Sequence, residues 1–272
     1  MNRNANVLTG LEVGDRFPVL EVTVSPAANE RYWTAAGVDH PLLRRGALYP
    51  PIAANLTVLL VQQTVGEALL HTEQTLTSRA VGTAGDPLQV AGTVTERVAR
   101  RGREYAVVTA TIAGAAGEPL WESTATFTTA RAPAAQPGSG AARPAPDPVP
   151  PDARHRTLHL DAAALRAYSR AGNFHSDPDE ARRLGMPGLV AQGMQVCGPA
   201  YGIVLDEWGE ELLASGTFSA RFVGMVVENQ TVDAAVELGR DGNRARFDVR
   251  DDRGRVAAVG TASRVRPSAA PG

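Results

Sequence analysis

The chain carries an internal repeat, and that repeat limits what it can fold into. Ala36-Gly37-Val38-Asp39-His40 is echoed by Ala171-Gly172-Asn173-Phe174-His175. Ile52-Ala53-Ala54-Asn55-Leu56 is echoed by Val190-Ala191-Gln192-Gly193-Met194, and Arg79-Ala80-Val81-Gly82 by Arg221-Phe222-Val223-Gly224. The separation between echoes drifts from 135 to 142 residues, as loops of unequal length would produce. Each half runs through a strand, a helix, a loop, a long apolar helix and then consecutive strands. That order describes a sheet wrapped around one helix, an α+β arrangement. Two such units in tandem can pair their sheets edge to edge as a built-in dimer.

In the first half, residues 11–24 read as a turn and a strand. Ser25 is an N-cap and Pro26 a first helical residue for the helix that follows. The Pro and Gly of 37–51 mark a loop. Residues 52–70 are apolar on most faces and predict a buried helix. About four β-branched, alternating runs fill 75–129. Residues 131–153 are almost all Ala, Pro, Gly and Ser and predict a linker between an N-terminal unit, 1–130, and a C-terminal one, 154–272. Beyond the linker HRTLHLD predicts a strand and AAALRAYSR a helix. PDEARRLG predicts a short second helix, 189–208 a buried one, and 216–265 strands.

Composition excludes several classes. The formal net charge of −2 gives no pull toward nucleic acid or an anionic membrane. No apolar run is long enough to span a bilayer, and the first ten residues lack the apolar centre of a signal peptide. Cys197 is the sole cysteine, so no internal disulfide forms, which fits a reducing cytoplasm. The sequence contains no lysine, which rules out Schiff-base chemistry and a P-loop lysine. No glycine fingerprint for a dinucleotide is present, no metal site is supported by His155 and His159, and no cofactor is expected.

Chemistry concentrates in residues 168–194. His175 lies in a loop, between a helix and the short PDEARRLG helix. Met186-Pro187-Gly188 then breaks the chain ahead of a further helix start. A helix start presents free backbone N–H groups that suit an oxygen carrying negative charge. Imidazole titrates near neutrality and can act as base or acid. Asp177-Pro178 reads as a cap at a helix start, and Asp179 and Glu180 complement its dipole. Asn173 is either a turn residue or a holder of water or a carbonyl. Asp39 and His40 in the first half read as a relic or a local bond, with a second site as the minority alternative.

His175-Ser176-Asp177-Pro178, Ala181-Arg182, Leu184-Gly185 and Val190-Ala191-Gln192-Gly193-Met194 resemble the motif of the MaoC-like hydratases and dehydratases in their double hot-dog form. The resemblance implies a tandem hot-dog fold and a lyase that adds or removes water at an enoyl or 3-hydroxyacyl thioester on CoA or acyl carrier protein. It implies His175 as acid/base and the Gly193 N–H as donor to the thioester carbonyl. Asn173 joins them as a catalytic candidate, with Tyr168, Phe174, Gln192 and Met194 around the substrate. The chain departs from the motif where it matters most. The aspartate expected five residues before the histidine is Arg170, the asparagine three before it is Gly172, and the histidine before Gly-Met is Gln192. The altered loop keeps two alternatives open. One is a cyclase or double-bond isomerase acting on a polyketide-derived small molecule; the other is a non-catalytic acyl-binding subunit. A homodimer or a pseudo-dimeric monomer is expected.

Overall fold

The computed structural model describes residues 7–100, 102–130, 149–150 and 152–264. Most of the expected linker lies outside the described residues. Strand β1 (Leu20–Thr23) leads into α1 (Pro26–Ala35), whose first turn is closed by Ser25 Oγ accepting from the Ala28 N–H at 3.2 Å. The stretch expected to be loop contains a one-turn helix, α2 (Pro41–Arg44). Pro41 starts it and His40 Nδ1 accepts from the Leu42 N–H at 3.2 Å, so imidazole does the work of a capping oxygen. Helix α3 (Ile52–Gln62) then crosses the core, followed by β2 (Leu69–Ser78), β3 (Pro87–Arg100), β4 (Arg103–Ala113) and β5 (Pro119–Thr129).

The helix expected to reach residue 70 stops at Gln62. Thr64, Val65 and Gly66 are poor helix formers in succession, and Leu69 and Leu70 belong to β2 instead. A run of apolar residues hides such a switch, because a buried helix and a buried strand show the same composition.

The second half repeats the plan with β6 (Arg154–Leu160), α4 (Ala162–Tyr168), α5 (Pro178–Arg183), α6 (Gly193–Val196), α7 (Gly198–Trp208) and α8 (Glu210–Ser215). Strands β7 (Thr217–Phe222), β8 (Gln230–Leu238), β9 (Arg244–Asp251) and β10 (Val256–Ser263) complete it. Here too one expected helix divides. Residues 189–192 are extended, with Val190 bridged to Val227, and helix begins only at Gly193. A second start follows at Gly198, with Pro199 in its first turn.

All ten strands form one antiparallel sheet in the order β1-β3-β4-β5-β2-β7-β10-β9-β8-β6. Read from the centre outward, the two sides match strand for strand. The junction is β2 against β7, where Thr75 pairs with Ser219, Leu76 with Phe218 and Thr77 with Thr217. The offset of 142 that relates Arg79 to Arg221 also relates Leu76 to Phe218, so a local twofold axis passes through that pair. Helix α3 packs on β3 and β5, α7 on β6 and β8, and α1 lies against α4 across the junction. The contact between halves is close. A Cβ on Gly198 would lie 2.2 Å from the Ala36 carbonyl oxygen. One continuous core joins the halves through buried Tyr49, Trp121, Phe127, Tyr168, Tyr201 and Phe218. This is a tandem hot-dog fold.

Candidate active site

A cavity of about 280 Å³ lies between the halves. Asn55, Leu59 and Gln62 of α3 and His71 of β2 form its first-half wall. Its second-half wall comes from the 170–175 loop, from 190–194 and from 222–226. Six of the seven residues singled out from sequence, namely Asn173, Phe174, His175, Gln192, Gly193 and Met194, line this one cavity. Tyr168 does not. Its side chain is fully buried in the core, with its ring edge-on to Tyr32 at 5.2 Å. A tyrosine that ends a helix on its buried face packs inward, and α4 turns that face to the core.

Local chemistry shapes the loop that carries His175. Gly172 sits at φ +77°, a turn conformation that a side chain would strain. Asn173 Oδ1 then accepts from the His175 N–H at 2.9 Å and from Ser169 Oγ at 3.0 Å. Its amide oxygen is therefore spent on the turn. Asp177 caps α5 by accepting from the Asp179 N–H at 2.9 Å, and Phe174 tucks against Ala181 and Val190 in a small cluster of its own. Phe174 also lies 4.0 Å from the His175 ring, centroid to centroid.

The imidazole is fixed by one strong bond. His175 Nδ1 is 2.6 Å from the Val190 carbonyl oxygen, so Nδ1 carries the proton and donates it. Nε2 then holds the lone pair, and it has no protein partner among the described residues. Burial pushes the His175 pKa down to about 4; the bond to Val190 opposes this shift and the Arg170 guanidinium adds to it. At neutral pH the ring is neutral and can only accept a proton at Nε2.

Gly193 is the first residue of α6, so its N–H has no acceptor within the helix. The position needs glycine, because a Cβ there would lie 2.5 Å from the Phe222 ring. Phe222 thus sets how closely β7 approaches the helix start, and both line the cavity. Gln192 precedes the helix without capping it through its side chain.

Two residues with chemical potential escaped the sequence reading as site residues. The first is His71, which comes from the other half. Between His71 and Glu73 the pairing of β2 with β5 shifts by a bulge, and bulges re-aim side chains. The ring lies 5.2 Å from Phe127 and 5.0 Å from Phe222, with Nε2 buried and without a partner among the described residues. Burial pushes its pKa down to about 4 as well. The second is Arg170, whose Nη2 donates to Gln62 Oε1. The available signal for His71 was a histidine next to two leucines at the start of a strand that continues Thr-Glu-Gln-Thr; nothing in its neighbours tied it to residue 175.

Among the described residues, no Asp or Glu lines the cavity. Asp177 is taken up by its cap, and Asp179 and Glu180 pair with Arg182 and Arg183. At the places in the first half that echo residues 174 and 175, the side chains are engaged locally. His40 caps α2 and Asp39 is bound by Arg44. His155 pairs with Asp233 at 2.9 Å and His159 with Thr231 at 3.2 Å, both exposed. Among the described residues no group of acidic, His or Cys side chains could hold a metal ion, and no helix is long and apolar enough to cross a membrane. Cys197 is buried, and burial raises its thiol pKa far above the ordinary value.

Comparison with known proteins agrees with this architecture. The fold is similar to full-length peroxisomal multifunctional enzyme type 2 of Drosophila melanogaster, with a TM-score of 0.74 at 18% identity. That match covers 92% of this chain and 48% of the fly enzyme, so the chain spans about half its length. HtdX of Mycobacterium tuberculosis matches with a TM-score of 0.67 at 18% identity, over 91% of this chain and 99% of that one. A conserved hypothetical protein of M. tuberculosis described as a double hotdog matches at 0.64 and 14% identity, over 97% of this chain and 100% of that one. No curated protein sequence matches. The chain is therefore a double hot-dog protein. Residues 149–260, in its second half, match the family model of the MaoC-like domain.

Proposed function

We propose that the chain is a lyase that removes water from, or adds it to, a 3-hydroxyacyl or enoyl thioester carried on CoA or acyl carrier protein, with His175 as the acid/base. The observation that carries this reading is the tautomer of His175, which is set by the 2.6 Å bond to Val190 and leaves the Nε2 lone pair free in a cavity that Gly193 also lines. In the dehydration direction Nε2 takes the proton from the carbon alpha to the thioester. The electron pair moves onto the carbonyl oxygen, which the Gly193 N–H stabilises as an enolate. The imidazolium then gives its proton to the beta hydroxyl, the C–O bond breaks, water leaves and the double bond forms. One imidazole can make both transfers when the two sites lie on the same face of the substrate. Hydration is the reverse of the same steps.

The cavity without a carboxylate favours a second reading within the same chemistry. A double-bond isomerisation or a ring closure by an internal hydroxyl needs proton relay but no free water to be activated. It suits a polyketide-derived substrate.

The test compares wild type with His175→Ala on trans-2-enoyl-CoA substrates of several chain lengths, following loss of the conjugated double bond. Wild type should turn over, with activity holding down toward pH 4, where the His175 imidazole protonates. The variant should be folded by its melting curve and slower by at least about a hundredfold. A silent wild type would sink the hydration reading for plain enoyl-CoA substrates, leaving the second reading and thioesters of other acyl groups.

A further inference from the structure

The cavity lining has an uneven charge. It contains no carboxylate, and His71 and His175 are both neutral, so Arg170 is its one formal charge among the described residues. The guanidinium has no acidic partner among the described residues. Its side chain reaches only a neutral amide oxygen, that of Gln62 at the last residue of α3. Arg170 is exposed as a residue, and partial desolvation of its guanidinium beside the cavity lowers its pKa. Tyr32 and Leu59 also line the cavity.

A neutral acyl chain gains nothing from such a neighbour and partly desolvates it on entering. A carboxylate on the ligand meets two parallel N–H donors in the geometry that a guanidinium presents. Arg170 is five residues before His175 on the same loop, where the resembling motif has an aspartate. The charge that the motif holds at that place is reversed here, and a carboxylate on the ligand would complement it. Carrier phosphates are the other source of anion, but they lie a whole pantetheine arm away from the thioester that His175 addresses.

We propose that Arg170 binds a carboxylate on the acyl portion of the substrate, so that the substrate class is a half-acid thioester rather than a plain fatty acyl thioester. This rests on the thioester reading above and narrows it.

The test uses N-acetylcysteamine thioesters of 2-enedioic acids of several lengths, from fumaroyl upward, each paired with its methyl ester. These carriers have no phosphate, so the acyl carboxylate is the only anion. Binding is measured by calorimetry for wild type and Arg170→Gln, with melting curves to confirm folding. Wild type should prefer at least one free acid over its ester by roughly ten- to a hundredfold, the range of charge-assisted hydrogen bonds. Arg170→Gln should abolish that preference while leaving ester binding unchanged. Equal binding of acid and ester at every length, preference retained in the variant, or no binding of either overturns the proposal. So does a variant that weakens CoA forms of acid and ester alike, since Arg170 would then read carrier phosphate. Turnover is scored separately on the same compounds. Arg170-dependent binding without chemistry defeats the lyase reading and leaves this one standing; turnover of acid and ester alike does the reverse.

Discussion

Replacing His71 with Phe should flatten the acid sensitivity of folding. The ring sits between Phe127 and Phe222, at centroid distances of 5.2 and 5.0 Å, so an aromatic replacement keeps the packing and removes the titratable group. In the native state the His71 pKa falls from 6.5 to about 4, chiefly through burial. The unfolded chain therefore takes up the proton first as pH drops. The stability that comes from holding the ring neutral is complete above the unfolded value and is lost as pH falls through the window down to the native one. Each pKa unit is worth about 1.4 kcal/mol, so the whole window amounts to about 3 kcal/mol, of which about 2 kcal/mol is lost between about pH 7.5 and pH 5. Urea denaturation of wild type and His71→Phe across that range gives the difference directly, because every other titrating group cancels. Wild type should lose about 2 kcal/mol more than the variant on acidification. Parallel curves would refute the reasoning, since they would mean that the imidazole keeps an ordinary affinity for its proton inside the fold.

Gly193→Ala should destabilise the protein by about 1–3 kcal/mol, because its Cβ would lie 2.5 Å from the Phe222 ring. Pairing it with Phe222→Leu should recover part of that loss in denaturant melts; strict additivity of the two changes would argue against the contact. Asp177→Ala removes the α5 cap and should cost about 1 kcal/mol, with Asp177→Asn nearly neutral, both read by chemical denaturation.

Much of the fold was legible in the repeat, because two copies of one element order admit few arrangements. The echo of Arg79 in Arg221 even fixed the offset at which Leu76 meets Phe218 across the junction. Helix lengths were not legible. Over 52–70 and 189–208 composition stays apolar while the backbone changes from helix to strand or breaks and restarts, and burial alone does not distinguish these. The six candidates that line the cavity were readable because they are close in sequence, from Asn173 to Met194, whereas Arg170 registered only as a departure from the motif. His71 was not, since it enters the cavity from a different half and its aim depends on a bulge at Thr72. Tyr168 misled for the opposite reason: it is next to the loop in sequence and turned away from the cavity in space.

The local twofold at Leu76 and Phe218 has a bearing on how such a chain can change. In a dimer of identical subunits every residue appears at both of two related places, and a substitution useful at one is imposed on the other. Here the places are covalently distinct. By the offset of 135 that relates Gly37 to Gly172, the counterpart of Arg170 is Ala35, which is buried against the core, and the counterpart of His175 is His40, which caps a helix. A guanidinium at both places would have put a charge into the interior. Joining the copies in one chain lifts that coupling, and lets each copy change at one place without imposing the change on the other.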